Sequence, residues 1–398
     1  MSMLKAKGAG AHEVSTYKRE LAELAAKAGS ASLPTADELC NPESTIDWAV
    51  LVRAIHTQRA SVDEILRKLH FRRERAFDSR AITNIRRFLL AGYSMTCDAR
   101  YLNELLWFAR DRGKGLDRQV RELAVALFAD NTDQSGRHVF PHASQEVLTR
   151  DIKSFCDKSN ALETSPCHGL RVGLLGSPSF FVQIRKQLIE LGADPRCYLV
   201  RHHSDRLPRA LLRSKMLLQA YLTAKGARFP FEDLGFDPAS PAIGAALRRD
   251  KIEVCYHKLG FIIKKGTIDG PRLGIINDHW GALPYVRGRS TIEWSLFHGI
   301  PMAVTTHLVD EGIDTGRLLA MFDYSRAIAG MTKVSQVRRV VKEDAVRRAI
   351  LSICRLANAA NPVVPNPSSV GATFYSMHAD IERHLEGVIL ARQSGACR

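Results

Sequence analysis

No part of this 398-residue sequence carries an uninterrupted apolar run of the about 18 residues a membrane-crossing helix needs. The opening residues are charged and Ala-rich with no continuous apolar core, so no signal peptide is predicted and the cytoplasm is the expected location. The eight cysteines include no C-x-x-C pair, which argues against a zinc site and against a disulfide framework. The turn Gly176-Ser177-Pro178 is not Gly-x-Gly-x-x-Gly, so nothing in it calls for a dinucleotide. Neither a membrane-spanning helix, nor a disulfide scaffold, nor a dinucleotide site is thereby indicated.

What is present is the composition of a globular chain, 45 % apolar and 25 % charged. The length is too great for a single ordinary core, and two or three domains are expected. The net charge of +15 is unevenly divided. Residues 1–166 carry 25 basic and 22 acidic side chains, whereas residues 167–398 carry 32 and 20. A basic second half suits an anionic ligand such as a nucleotide or RNA, and a solvated basic surface accounts for it equally well.

Residues 1–45 show little order beyond a short helix near Tyr17 to Lys27. From Thr45 to about residue 130 the apolar spacing is helical, as in Ile82, Ile85, Phe88 and Leu89. Asp98 and Asp117 are expected near helix starts. Arg72, Arg73, Arg75, Arg86 and Arg87 could touch nucleic acid, although charged helix faces are usually just solvated. Residues 131–167 are expected to form a linker around one short helix. Leu170 to Leu175 then predicts a buried strand, Val182 to Leu191 a helix and Arg196 to Val200 a second strand. That order implies a parallel sheet with a right-handed crossover. Further strands are expected at Ile252 to Tyr256 and near Asn277, with helices at Met216 to Ala224, Ser290 to His298, Lys333 to Ala357 and Ala379 to Ala391.

The chemistry concentrates between Gly274 and Leu319. An apolar run delivers Asn277, Asp278 and His279 to a strand end, and alternation puts Asn277 and His279 on one face with Asp278 on the other. A second apolar stretch, Met302 to Leu308, leads into the polar turn Asp310 to Gly316. An amide, an imidazole and a carboxylate, that of Asp314, can therefore converge at one sheet edge, where open α/β folds place ligands. Alone, Asn277 suits a turn, His279 a satisfied core position and Asp314 a turn before Gly316. His307, inside an apolar run, is expected to serve packing or hydrogen bonding of the sheet. The adjacent His202 and His203 make a poor metal site, and no metal site is expected.

The pattern Asn277-x-His279-x-x-x-Leu283-Pro284-x-x-Arg287-Gly288, with Trp294, Gly299, Thr305, His307, Asp314 and Gly316, resembles the folate-dependent formyltransferases. Val172 to Phe180 is similar to that family's first strand and Gly-Thr-Pro-x-Phe turn, and Pro271-Arg272-Leu273-Gly274 to the loop before its catalytic Asn. The resemblance covers roughly residues 169 to 325. It implies an α/β fold: a Rossmann-like, mostly parallel sheet forming a catalytic domain over 168–330. An all-helical accessory domain with its linker (1–160) precedes that domain, and a C-terminal helical extension (331–398) follows it. It implies transfer of a formyl group from N10-formyltetrahydrofolate to an amine. Asn277 would polarise the formyl oxygen, His279 would stabilise the intermediate, and Asp314 would pair with His279 and manage the proton. The pteridine is expected against Gly260, Phe261, Ile262 and Ile263 on one side and Val309, Asp310, Glu311 and Gly312 on the other. The expected acceptor is a small anionic amine, phosphorylated or nucleotide-linked, with RNA as its rival. The basic stretch Arg201 to Lys215 is expected to face that acceptor. The helical stripes must be buried within their own domain, against the catalytic half, or in a homo-oligomer. Rival readings are a formyltetrahydrofolate hydrolase and an idle RNA-binding or scaffold protein on this fold. Trp280 and Gly281 depart from the family's small residue and Ser, and Asp278 replaces an apolar residue. A buried Asp278 would need a cationic or hydrogen-bonding partner.

Overall fold

The computed structural model describes residues 11–27; 35–109 less 45, 48, 50, 53–54, 56–58, 74 and 76; 118–161; 166–200; 220 and 223; 230–357 less 236 and 238–239; and 363–393. The basic stretch Arg201 to Lys215 and Asp117 lie outside the described residues, as does the expected Met216 to Ala224 helix apart from Ala220 and Thr223.

The first part of the chain is helical: α1 (Ala11–Lys27), α2 (Ala36–Cys40), α3 (Arg59–Arg72), α4 (Ser79–Thr96), α5 (Ala99–Ala109), α6 (Arg118–Asp130) and α7 (Gln145–Ala161). Side-chain caps set the starts. Thr35 and Glu38 form a reciprocal capping box on α2, and Asp78 accepts the Arg80 N–H at 2.7 Å at the head of α4. Asp98 does the same for α5, accepting the Arg100 N–H at 3.0 Å. Ala81, Ile85, Phe88 and Leu89 are all buried, so the helical spacing of α4 places one stripe inside. The arginines that could have faced nucleic acid have protein partners here. Arg72 pairs with Asp37 at 2.6 Å, Arg73 donates to the His70 carbonyl at 2.7 Å, and Arg86 donates to the Phe108 carbonyl at 3.0 Å.

Where a linker around a short helix was expected, α7 runs for 17 residues. Its buried apolar residues are Leu148, Ile152 and Cys156, spaced four apart among polar residues and followed by buried Ser159, which gives a faint periodic signal. That face lies against the last strand of the main sheet. The Met321 N–H donates to Ser159 Oγ at 2.9 Å, and Arg355 donates to the Ser159 carbonyl at 3.0 Å. Each of the three buried apolar side chains contributes up to about 1.5–3 kcal/mol by leaving water.

The sheet has seven strands: β1 (Arg171–Gly176), β2 (Asp194–Leu199), β3 (Phe231–Asp233), β4 (Val254–His257), β5 (Gly274–His279), β7 (Ala303–Leu308) and β8 (Leu318–Asp323). Their order is β3-β2-β1-β4-β5-β7-β8. The first five run parallel, while β7 and β8 join antiparallel, so the sheet is mostly parallel. Helices α8 (Pro178–Glu190) and α9 (Pro241–Arg249) make the crossovers, with short α10 (Lys265–Ile268) leading into β5. The architecture is the expected mixed α/β, Rossmann-like one. Strand order reverses between β1 and β4, and the parallel strands all end on the edge where open α/β sheets hold ligands.

After β5 the chain forms β6 (Val286–Gly288) and α11 (Thr291–Phe297), and beyond β8 it forms α12 (Val334–Ala357). The expected helical extension also contains a strand, β9 (Ala372–Phe374), paired parallel with β6. Three-residue strands are too short to show a period. The chain then runs through α13 (Ala379–His384), a π turn over Leu385–Leu390 and α14 (Ala391–Gln393). Motif residues hold this segment. Arg287 donates to the carbonyls of Pro284, Ser368 and Val370, and Trp294 Nε1 donates to the Tyr375 carbonyl at 2.9 Å.

One apolar cluster runs without a break from Phe88, Leu105 and Phe128 to Trp294, Phe322 and Phe374. The His138 N–H donates to the Phe297 carbonyl at 3.0 Å, and Gln145 donates to the His298 carbonyl at 2.7 Å. Cys167 and Cys354 are disulfide-bonded, their Cα atoms 5.1 Å apart, which ties the approach to β1 to α12. Cysteines 187 positions apart carry no spacing signal, and the expectation of no disulfide is corrected here. No described helix is long and apolar enough to cross a membrane.

Candidate active site

Strand β5 ends at the carboxyl edge of the parallel strands. Asn277 and His279 share the face that looks across to the loop after β7. The side-chain amide of Asn277 lies 3.2 Å from His307 Nε2, and the register places Asn277 directly beside His307. His307 Nδ1 donates to the Leu308 carbonyl at 2.8 Å, which leaves Nε2 as the nitrogen that accepts the amide N–H. His307 therefore does more than pack in the sheet: it orients Asn277 and lines the cavity.

His279 is buried, and its Nε2 lies 2.7 Å from the Val286 carbonyl. A carbonyl can only accept, so Nε2 carries a proton and Nδ1 faces Asp314 Oδ2 at 3.3 Å. Gly281 makes room for this seat: a Cβ there would stand 2.9 Å from His279 Nε2. The absence of the family's Ser at this position thus gives the imidazole its place.

Asp314 sits at φ 53°, in the left-handed region that Asp tolerates. Its Oδ2 accepts the Gly288 N–H at 2.8 Å, and its Oδ1 lies 3.5 Å from His307 Nε2. The loop is tied down at both ends. Asn366 donates to the carbonyls of Asp314 and Gly316, each at 2.9 Å, and Asp310 accepts from Thr315 Oγ1 at 2.7 Å. At Gly316 a Cβ would sit 1.8 Å from the Leu308 carbonyl oxygen, so no other residue fits. Burial would raise the Asp314 carboxyl, but the attraction of His279 and His307 in their protonated forms, together with the Gly288 amide, outweighs it and holds it well below the usual carboxylate range. Burial also pushes the His279 imidazole down, against the pull of Asp314. These two directions oppose one another at one contact. Asp314 is ionised in either case, and Nδ1 of His279 is where a proton arrives or leaves.

Asn277, His307 and Asp314 border a cavity of about 470 Å³, a size suited to a cofactor-sized ligand, and His279 lies outside its lining, behind Asp314. Gly260, Phe261, Ile262 and Ile263 line one side, and Val309, Asp310 and Gly312 another. Glu311, expected with them, is exposed and is not part of the lining. Sequence reasoning missed His70, Phe71, His257, Arg289, Thr373 and Tyr375, which also line it. His257 follows Tyr256, which pairs beside Ile276, so alternation aligns it with Asn277 on the same face. A histidine closing an apolar strand on the parity of the Asn was the one available signal. His257 Nδ1 accepts the Leu259 N–H at 3.3 Å, so Nε2 carries the proton, and that buried donor has no partner among the described residues. Burial pushes this imidazole down to about 3.

The opposite face of the sheet carries the departures. Asp278 is buried and accepts from Tyr256 Oη at 2.8 Å and from Trp280 Nε1 at 3.0 Å, and it pairs with Lys258. The Lys258 ammonium also lies 5.1 Å from the Trp280 ring centroid. A larger cavity, about 1070 Å³, opens at the beginnings of β1, β4 and β5, away from the Asn277–His279–Asp314 group. Its Arg272 and Glu253 are already paired with each other at 2.8 Å.

Residues 214–350 match the family model described as formyl transferase. The sequence is 30 % identical over 213 residues to a methionyl-tRNA formyltransferase of Novosphingobium aromaticivorans, covering 52 % of this chain and 65 % of that protein. It is 40 % identical over 84 residues to one of Thermosynechococcus vestitus, covering 21 % and 25 %. The chain thus spans less than two thirds of the length of these curated relatives. Among solved structures it is similar to a sugar N-formyltransferase from Shewanella, at 16 % identity and a TM-score of 0.40, covering 55 % of this chain and 87 % of that one. The fold is mixed α/β, with a mostly parallel seven-stranded sheet. The match to the formyl transferase family model covers the part of the chain that holds Asn277, His279 and Asp314.

Proposed function

We propose that this protein moves a formyl group from N10-formyltetrahydrofolate to the amine of a small anionic acceptor. The observation that carries the reading is the convergence of Asn277 and Asp314 on one cavity whose walls suit a flat ring, with His279 buried against Asp314 just behind that wall. The residues fit the donor: Phe261, Ile262 and Ile263 supply an apolar wall, backbone groups of Val309 to Gly312 can meet a polar ring edge, and His257 offers an unused N–H. Bound there, the folate supplies the formyl carbon and departs carrying a proton on N10.

The acceptor nitrogen bonds to the formyl carbon as the bond from that carbon to N10 breaks. One proton leaves the amine and one reaches N10. Asn277 donates an N–H to the oxygen on which charge develops. His279 contributes through its charge, since Nε2 is held by the Val286 carbonyl and only Nδ1 can gain a proton. Asp314, ionised beside it, favours that gain and supports passage of the proton from amine to folate. Incubating the protein with N10-formyltetrahydrofolate and a panel of amino-sugar nucleotides, amino acids and aminoacyl-tRNA tests this. Tetrahydrofolate release that depends on one acceptor is expected. Release without any acceptor would make it a hydrolase, and no release or binding at all would overturn the reading.

A further inference from the structure

Six large apolar side chains stand exposed among the described residues: Leu24, Phe71, Val139, Val182, Ile189 and Ile262. Two of them, Phe71 at 65 % and Ile262 at 51 % exposure, line the same cavity from opposite halves of the chain. Exposed apolar rings are costly to leave in water, and a ligand that covers both would recover that cost.

The support behind Phe71 is rigid. It is the penultimate residue of α3, and its ring meets Tyr375 edge-on, centroids 6.2 Å apart. The Tyr375 ring stacks on His70 at 4.7 Å and 21°. His70 is in turn fixed by Glu104, Nδ1 to Oε1 3.0 Å, with both side chains buried. Tyr375 follows β9, and its carbonyl is held by Trp294 Nε1 at 2.9 Å. A buried tier from α3, α5 and the C-terminal segment thus ends in a phenyl ring left 65 % exposed among the described residues. The loop at Ile262 forms another wall of the same cavity, and Arg289, exposed and with no ion pair among the described residues, also lines it.

Resting on the formyl-folate reading, we propose that Phe71 and Ile262 clasp the flat ring system of the donor, so that the helical N-terminal segment builds one wall of the donor site. Arg289 takes the anionic glutamate tail of the same ligand. The chemistry that selects the ligand is a planar heteroaromatic body with a carboxylate end.

Phe71 is exposed enough for its replacement to leave the fold alone, which makes the test clean. Tetrahydrofolate binding to the full chain is measured by calorimetry for the unaltered protein and for Phe71→Ala, Phe71→Tyr and Val139→Ala. Phe71→Ala is expected to weaken binding about tenfold or more, Phe71→Tyr to stay within about threefold, and the control Val139→Ala to change nothing. Arg289→Ala should weaken tetrahydrofolate but not a tetrahydropterin that lacks the tail. Normal binding by Phe71→Ala overturns the assignment, as does loss of binding accompanied by a collapsed melting temperature in both Phe71 variants. If the unaltered protein binds neither ligand, the formyl-folate reading itself falls, and that outcome is visible before any variant is made.

Discussion

Asn277 spends one side-chain N–H on His307, which leaves its amide aimed at the cavity with a second donor to offer. Asn277→Ala should therefore cut turnover by roughly 10²–10³, equal to about 2.7–4 kcal/mol, with little change in donor binding. Steady-state kinetics beside calorimetry checks this, and near-normal turnover would remove Asn277 from the chemistry. Asp314→Asn keeps the left-handed backbone and a group able to accept the Gly288 N–H, but removes the charge facing His279. Its rate should fall steeply while its melting temperature stays within a few degrees; an unfolded variant would mark Asp314 as a turn former instead. His257 gives a prediction of opposite sign. Its Nε2–H is buried without a partner, so His257→Val should leave the ligand-free protein as stable or up to about 1–3 kcal/mol more stable. A clear loss in urea unfolding would reveal that the donor is satisfied after all. Asn277, His279 and Asp314 were legible because several motif residues fall in register around them. His257, His70, Phe71 and Tyr375 were not, because each reaches the cavity from an element whose own pattern is simply core.

Strands β4 and β5 show how alternation divides two tasks between two faces. Odd positions His257, Asn277 and His279 face the cavity group, while even positions Tyr256, Lys258, Asp278 and Trp280 form a separate polar cluster. From sequence, Asp278 and Trp280 were two unrelated oddities, one needing a partner and one too large. The structure makes each the answer to the other. Removing Trp280 leaves one Asp278 oxygen short of a donor, and removing Asp278 leaves the Trp280 N–H and the Lys258 ammonium uncompensated. Asp278→Val and Trp280→Gly should each destabilise by about 1–3 kcal/mol. The double variant should lose less than their sum, with a coupling of about 0.5–3 kcal/mol in denaturant unfolding. Strict additivity would mean the two do not act together. Helix α4, with its strong helical period, and β1 and β7, with their continuous apolar runs, were legible within a few residues. Helix α7 and strands β6 and β9 were not, being respectively sparse in apolar positions and too short.

Over the whole molecule, apolar packing ignores the division into helical and α/β parts, and a line of buried histidines sits where they meet. His138 Nδ1 donates to the Val139 carbonyl at 2.8 Å while its Nε2 lies 2.7 Å from Tyr93 Oη, which donates to it, so the neutral ring is fully satisfied. A second proton would have to displace that hydroxyl hydrogen. His298 Nδ1 donates to the Val139 carbonyl at 3.0 Å from the α/β side of the same junction. Burial pushes His138 down to about 3 and His298 to about 4, as it does His257 to about 3, from an ordinary value of 6.5. Below pH 6.5 the unfolded chain takes up these protons and the folded chain does not, so stability present above that pH is lost on acidification. Each such histidine contributes a slope of about 1.4 kcal/mol per pH unit until its folded pKa is reached. Ionised carboxylates add their own acid sensitivity only below about pH 4, near their unfolded values. Between pH 6.5 and about 4.5 the fall should therefore be the histidines' own. Urea unfolding at half-unit steps from pH 7.5 to 4.5 measures it, and His138→Gln should reduce the slope by about 1.4 kcal/mol per pH unit. A stability that stays level down to pH 5 would mean that these rings accept protons while the protein remains folded, and that the junction is looser than its packing implies.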